Sequence, residues 1–154
     1  MTTSKGTIEK KCCFYASDFH LEMTIVPYIN RKIEENKNVI IVTQNNLEET
    51  MKVLISRMNI KNKDIICNLD WNNNDIAQAI GKNNLIMIVN GNKEFIDYKN
   101  KEIKELLGQE VIELINCYYF DEIKDEMVQI RANYTGVLNN LQKYYWKFKN
   151  NGIL

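Results

Sequence analysis

The residues best placed to do chemistry stand at the ends of short apolar runs. They are Tyr15 with Ser17, Asp18 and His20; Thr43 with Gln44; Asp70 with Trp71; Asn90; and Cys117 with Tyr118. Nucleophilic catalysis needs an activated Ser or Cys beside a base. His20 is the only histidine, and it falls with Ser17 at the start of one helix, where Ser17 is better explained as a cap. No GxSxG is present, so a Ser–His hydrolase is not expected. A phosphate loop needs glycines that let backbone N–H groups wrap the anion, plus a lysine. The loop Ala16-Ser17-Asp18-Phe19-His20 has neither, and Gly81-Lys82-Asn83 lacks the upstream glycine and follows a helix. There is no GxGxxG. Cys12 and Cys13 point to opposite faces of a strand, so they do not ligate one ion. The expectation is therefore no catalytic set, no metal and no cofactor. Cys12, Cys13, Cys67 and Cys117 read as reduced thiols in a cytosolic core.

Binding chemistry is better served. In a parallel sheet the strand C-terminal ends converge on one edge, where ligands bind. That places Tyr15, Ser17, Asp18, Thr43, Asp70, Trp71, Asn90 and Tyr118 in one expected ligand set. Trp71 beside Asp70 leads it, as an aromatic wall with a carboxylate. The competing reading is that strand ends simply need polar residues and caps. Further on, Tyr144, Tyr145, Trp146 and Phe148 interleave with Lys143, Lys147 and Lys149. Four aromatics in five residues cannot all face one core, which marks them as a partner surface or self-association face. Packing on the domain, and base stacking on a basic helix, are the rival readings.

The elements that must position these residues alternate. Apolar, largely β-branched runs at 11–16, 39–43, 64–69, 85–89 and 111–118 read as five strands. Helices between them are expected from Ser17 or Asp18 onward, after Asn46 with Glu49 as a capping box, at 75–80, at 98–107, and after a cap at Asp121. Leu21, Ile25, Ile29 and Ile33 form the inner face of the first, which Pro27 should bend. Gly81 and Gly108 are set as helix stops, and Ile103, Leu106 and Leu107 as an inner face. A last helix is expected over about 137–149. Strands alternating with helices imply right-handed crossovers and a three-layer α/β fold around a mainly parallel five-stranded sheet.

With 154 residues the chain fits one domain, expected over 11–154, after a flexible stretch at 1–10. Twenty basic and twenty acidic residues cancel, which argues against nucleic acid as the main partner. No apolar run approaches the ~20 residues that cross a bilayer, and residues 1–11 lack a signal-peptide core. The chain is thus expected to be cytoplasmic, with no membrane partner.

The segment CCFYASDFHLEMTIVPYINRKIEENKNVIIVT over 12–43 resembles the opening of the MEDS domain, a sensory domain of methanogen, methylotroph and dichloromethane-regulator proteins. Tyr15, Asp18, Pro27-Tyr28 and the run at 39–43 fit that family's strand, acidic turn, Pro-aromatic helix and second strand. IVNGNKEFIDYKNKEIKELL and INCYYFDEIKDEM are similar to its fourth strand with following helix and to its final strand. The likeness spans about residues 11–135. It departs where members often open on His, since Lys10 and Lys11 stand here, and no helix-turn-helix or kinase domain is present. The resemblance implies a RecA-like core without a working phosphate loop, used to sense rather than to catalyse.

The functional expectation is a stand-alone sensory or regulatory module, not an enzyme. It would bind an unidentified small molecule or signalling protein, with a homodimer as one form of partnering. A nucleotide switch holding Mg²⁺ at Asp18 or Asp70, and a pure interaction domain, are the alternatives.

Overall fold

The fold is seen in a computed structural model, described here for residues 8–138. Its strands are β1 (Glu9–Tyr15), β2 (Asn38–Thr43), β3 (Leu85–Gly91), β4 (Val111–Tyr119) and β5 (Gly136–Val137). Every pairing is parallel, in the order β2-β3-β4-β1-β5. The expected three-layer α/β architecture with a parallel five-stranded sheet therefore stands.

Alternation along each strand divides the core in two. Cys13 and Tyr15 of β1, Ile41 of β2, Ile88 of β3 and Ile115 and Cys117 of β4 face one layer. There they meet Leu21, Ile25 and Ile29 of α1 (Asp18–Glu34), Met51 and Ile55 of α2 (Glu48–Arg57) and Ile66 of α3 (Lys63–Cys67). Cys12, Phe14, Val42, Met87, Leu114 and Tyr118 face the other layer. That layer holds Ile96 and Ile103 of α4 (Lys93–Leu106), Ile123 of α5 (Phe120–Ile123) and Ile130 of α6 (Met127–Arg131). Cys12 and Cys13 thus point to opposite faces, as alternation requires.

Helix α1 begins where expected. Ser17 is extended and its Oγ accepts the His20 N–H. Pro27 lies inside the helix. Helix α2 departs from the expected capping box, because Leu47 occupies the cap position and Asn46 Oδ1 accepts from the Glu48 N–H. Helix α4 starts five residues before expectation, on an Asn92 cap that accepts from the Phe95 N–H. Ile96, Ile103 and Leu107 face inward, whereas Leu106 is exposed. Asp121 lies within the first turn of α5 and does not cap it; Tyr119 holds that position without a side-chain bond.

The largest correction concerns residues 64–69, expected as a third strand. They fall largely in α3, a short helix that buries Ile66 and leaves Ile65 exposed. The fifth strand is instead Gly136–Val137, at the far edge beside β1. Val137 therefore lies in a strand and not in the expected last helix. The rest of that helix, with Tyr144, Tyr145, Trp146 and Phe148, lies outside the described residues. Glu9 and Lys10, expected in a flexible N-terminus, belong to β1 and pair with Glu113 and Leu114. Residues 1–7 lie outside the described part.

After α3 the chain turns round the β2 edge. Asn73 meets that edge directly: its carbonyl accepts from the Thr43 N–H at 2.7 Å, and its side-chain amide donates to the Ile41 carbonyl at 2.9 Å. A 3₁₀ turn at Ala77–Ala79 then packs on the opposite layer before β3. Among the described residues no helix is long and apolar enough to cross a membrane.

All four cysteines are free thiols, and Cys12, Cys13 and Cys117 are fully buried. Burial, helped by Cys13, pushes the Cys12 thiol up to about 11. A hydrogen bond from its thiol to Cys13, and burial, hold Cys117 well above the ordinary thiol range. Since the thiolate is the reactive form, iodoacetamide at pH 8 should label the folded chain at half-buried Cys67. The other three should react at least about a hundredfold more slowly, and only through opening of the fold. Equal labelling of all four in native protein would contradict this core.

Candidate functional site

Strands β1 and β4 are neighbours, yet the chain leaves them toward opposite layers: β1 leads to α1 and β4 to α5. Strands β2 and β3 diverge the same way, toward α2 and α4. Where adjacent strands send their connections apart, their C-terminal ends leave a crevice. Here it is a cleft of about 430 Å³, lined by Tyr15, Ala16, Ser17, Asp18, Gln44, Asn45, Gly91, Asn92, Tyr119 and Glu122.

A buried polar chain underlies the rim. Asn90 Nδ2 donates to the Tyr15 hydroxyl at 2.7 Å. Asn90 Oδ1 lies 3.0 Å from Thr43 Oγ1, which accepts in turn from the Asn45 N–H. Tyr15, Asn90 and Thr43 end three strands on the same face, so parity brings them together. Burial raises the Tyr15 phenol above its ordinary value, so it stays a neutral group at any physiological pH. The Tyr119 ring packs against it in a tilted contact, at 5.7 Å between centroids with the planes at 42°.

The loops are tied across the cleft as well. Gln44 Oε1 accepts the Asn92 N–H at 2.8 Å. Gly91 is required there by space: a Cβ would lie 2.6 Å from Phe95 Cδ2 and 2.9 Å from Gln44 Oε1. This glycine lets two loops close on one another and does not form a phosphate cradle.

The charge of the lining has one sign. Asp18 and Glu122 face the cleft, and no Lys or Arg is among its lining residues. One first-turn N–H of α1, that of His20, and one of α4, that of Phe95, are already engaged by the Ser17 and Asn92 side chains. Anions are favoured at helix N-termini by free N–H groups, and here those donors are partly spent while carboxylates stand by. His20 accepts the Ala16 N–H at Nδ1, which fixes the neutral tautomer protonated at Nε2, and burial lowers its pKa. It is set in the core below the loop, and Ser17 serves as its helix cap. Among the described residues no three His, Cys, Asp or Glu side chains converge on a metal-sized space.

Of the eight expected ligand residues, Tyr15, Ser17 and Asp18 line the cleft, and Thr43 and Asn90 brace it from beneath. Three are elsewhere. Trp71 is fully buried in the α1 layer, its Nε1–H donating to the Ile66 carbonyl at 2.9 Å. Asp70 sits beyond the β2 edge, bonded to the Asn72 N–H and to Gln78. Tyr118 points into the opposite layer, with its hydroxyl 2.6 Å from that of Tyr134. Trp71 and Tyr118 therefore share no surface. The shared rim survives without them, built from β1, β2, β3 and β4.

Asn92, Tyr119 and Glu122 were missed by sequence reasoning. The register Tyr15↔Tyr119 is the signal that finds Tyr119, since it places two tyrosines side by side on one face. No family model, curated protein or solved structure matches this chain.

Proposed function

We propose that this chain is a non-catalytic sensory or regulatory module of the cytoplasm that binds a small polar ligand, neutral or cationic, in the cleft at the rim of its sheet. One observation carries the reading: the cleft lies where neighbouring crossovers part, and its polar groups are held in place from below by the Tyr15–Asn90–Thr43 chain. A site braced in this way is arranged before a ligand arrives. Asp18 and Glu122, with the Tyr119 ring between loops, suit an ammonium or a hydroxylated neutral compound. The acidic lining speaks against the nucleotide alternative, because phosphates would meet carboxylates with no compensating cation. The free, buried thiols agree with a reducing compartment.

A thermal-shift screen of amines, amino acids, polyols and nucleotides tests it. At a hundredfold excess over Kd a ligand stabilises by about 2.7 kcal/mol, roughly 5–10 °C in a domain this size. Asp18→Asn and Glu122→Gln should each weaken an ammonium ligand by about tenfold, or about 1.4 kcal/mol, and leave unliganded melting within about 2 °C. Micromolar affinity for ATP or GTP, or no shift with any compound, would reverse the proposal.

A further inference from the structure

A second concavity, of about 750 Å³, runs between the first turns of α1 and the face of α2. Its volume falls in the range of small-molecule sites, which are mostly apolar with a few placed polar groups. Phe19 of α1 and Val53 and Leu54 of α2 supply the apolar walls. Phe19 and Val53 are 57% and 52% exposed, so apolar surface stands open to solvent on both helices.

The polar group that distinguishes this cavity is Glu22. It lines the groove yet is only 3% exposed. Its Oε2 accepts from the Thr50 hydroxyl, and its Oε1 makes no hydrogen bond among the described residues. The other buried carboxylate of the described residues is placed very differently: Glu113 accepts from Lys32 and from Tyr28, and Lys11 stands beside it. Among the described residues Glu22 has no such cation. Arg57, the one basic residue of the lining, lies two helical turns beyond Thr50, about 10 Å along the α2 axis, and pairs with no described acid. Asp18 and Glu49 make the lining more negative still. Burial, with the charge of Asp18, raises the Glu22 pKa against the bond from Thr50. A buried charge is costly unless it is paired, and here the open side of the groove is where a cation can reach it.

We propose that the α1–α2 groove binds an organic ammonium with an apolar body, an aralkyl amine for example, whose nitrogen meets Glu22 and whose hydrocarbon packs between Phe19 and Val53. Charge selects a cation, since three carboxylates of the lining face one guanidinium. The Phe19 ring offers a second attraction for an ammonium. The apolar walls select against the small polar compounds suited to the rim cleft. A second copy seated groove to groove is disfavoured, because a two-fold contact would set Asp18, Glu22 and Glu49 against their own equivalents. The groove and the rim cleft share Asp18 alone, and either assignment can fail without the other.

Titration of the ¹⁵N-labelled full chain with 2-phenylethylamine, 2-phenylethanol and ethanolamine, followed by amide shifts, tests it. 2-Phenylethylamine should bind at least about tenfold more tightly than the neutral or the polar analogue. Its largest shifts should fall at Glu22, Thr50 and Val53, with Gly91, Asn92 and Tyr119 unmoved. Glu22→Gln keeps an acceptor for Thr50 and should weaken the amine at least about tenfold, while melting at or above the parent temperature because the buried charge is gone. Val53→Lys should weaken it at least about tenfold by setting a cation at the wall. Val53 is solvent-facing on α2, so this variant decides the matter even if Glu22→Gln does not fold. No saturable binding of the amine, equal affinity for the three probes, or affinity unchanged in both variants overturns the proposal. Shifts confined to Gly91, Asn92 and Tyr119 also overturn it, and assign the amine to the rim cleft.

Discussion

Glu113→Ala should lower the unfolding free energy by about 3–5 kcal/mol in urea titrations, one of the two largest effects expected from one side chain. Glu113 lies on β4 beneath α1 and is 9% exposed. Its Oε2 accepts from Lys32 Nζ at 2.6 Å, its Oε1 accepts from the Tyr28 hydroxyl, and Lys11 stands 3.7 Å away. Removing the carboxylate leaves Lys32, itself 8% exposed, with only the longer and more exposed contact to Glu35, and leaves a buried phenol without its acceptor. An uncompensated buried charge is what makes breaking such a pair costly, even where the intact pair adds little net stability. Three cations also lie 5.3–5.7 Å from the Tyr28 ring, from Lys11, Arg31 and Lys32, and without Glu113 Lys11 and Lys32 keep only their longer contacts, to Glu9 at 3.9 Å and to Glu35 at 3.5 Å. A loss under about 1 kcal/mol would mean that water already solvates the cluster.

The same group sets an acid limit. Burial alone would raise the Glu113 pKa, but the bonds from Lys32 and Tyr28 and the charge of Lys11 outweigh it, and the net direction is down. Its folded pKa is therefore below the unfolded value, near 4.5. The stability it contributes is complete above that pH and is lost as pH falls through the folded pKa. Glu113→Gln should accordingly flatten the stability loss below about pH 4.5, while lowering stability at pH 7. An unchanged acid slope would show that other carboxylates govern it.

Trp71→Ala is the second large effect, at about 3–5 kcal/mol. The side chain is wholly enclosed by the α1 layer, and its indole N–H satisfies the Ile66 carbonyl. Truncation opens a cavity and orphans that carbonyl, two penalties of different kind. Trp71→Phe should cost less, because it keeps most of the packing and loses the bond. Neither should alter ligand affinity at the rim cleft once each variant is held below its melting temperature. A selective loss of ligand affinity, with stability unchanged, would return Trp71 to the site.

Both the success and the failure at Trp71 come from the same kind of sequence signal. The runs at 39–43, 85–89 and 111–118 are long and β-branched enough to allow one reading, and those strands exist. The run over 64–69 is six residues long, with its apolar residues broken at Asn68, where periodicity does not separate a strand from a helical turn. Tertiary packing decided for a turn, with Ile66 inside and Ile65 out. Once that strand is gone, Asp70 and Trp71 no longer sit at a strand tip, and the site argument for them lapses. Tyr15, Ser17 and Asp18 were legible because they follow a true strand directly. Tyr118 was misplaced by parity: it is in register with Phe14, in the opposite layer, and its neighbour Tyr119 meets Tyr15. Strand β5 left no trace to read, since two residues carry no pattern.

Asn73 has a consequence for how this protein keeps company. A parallel sheet that ends on a greasy, fully extended strand offers an open seam to which any identical chain can add, the first step toward fibrils. By placing one amide and one carbonyl against β2, a single asparagine occupies two of the positions that a sixth strand would need. At its C-terminal end the flank is closed from within, at the expense of one side chain, and crowded copies meet an interrupted seam there.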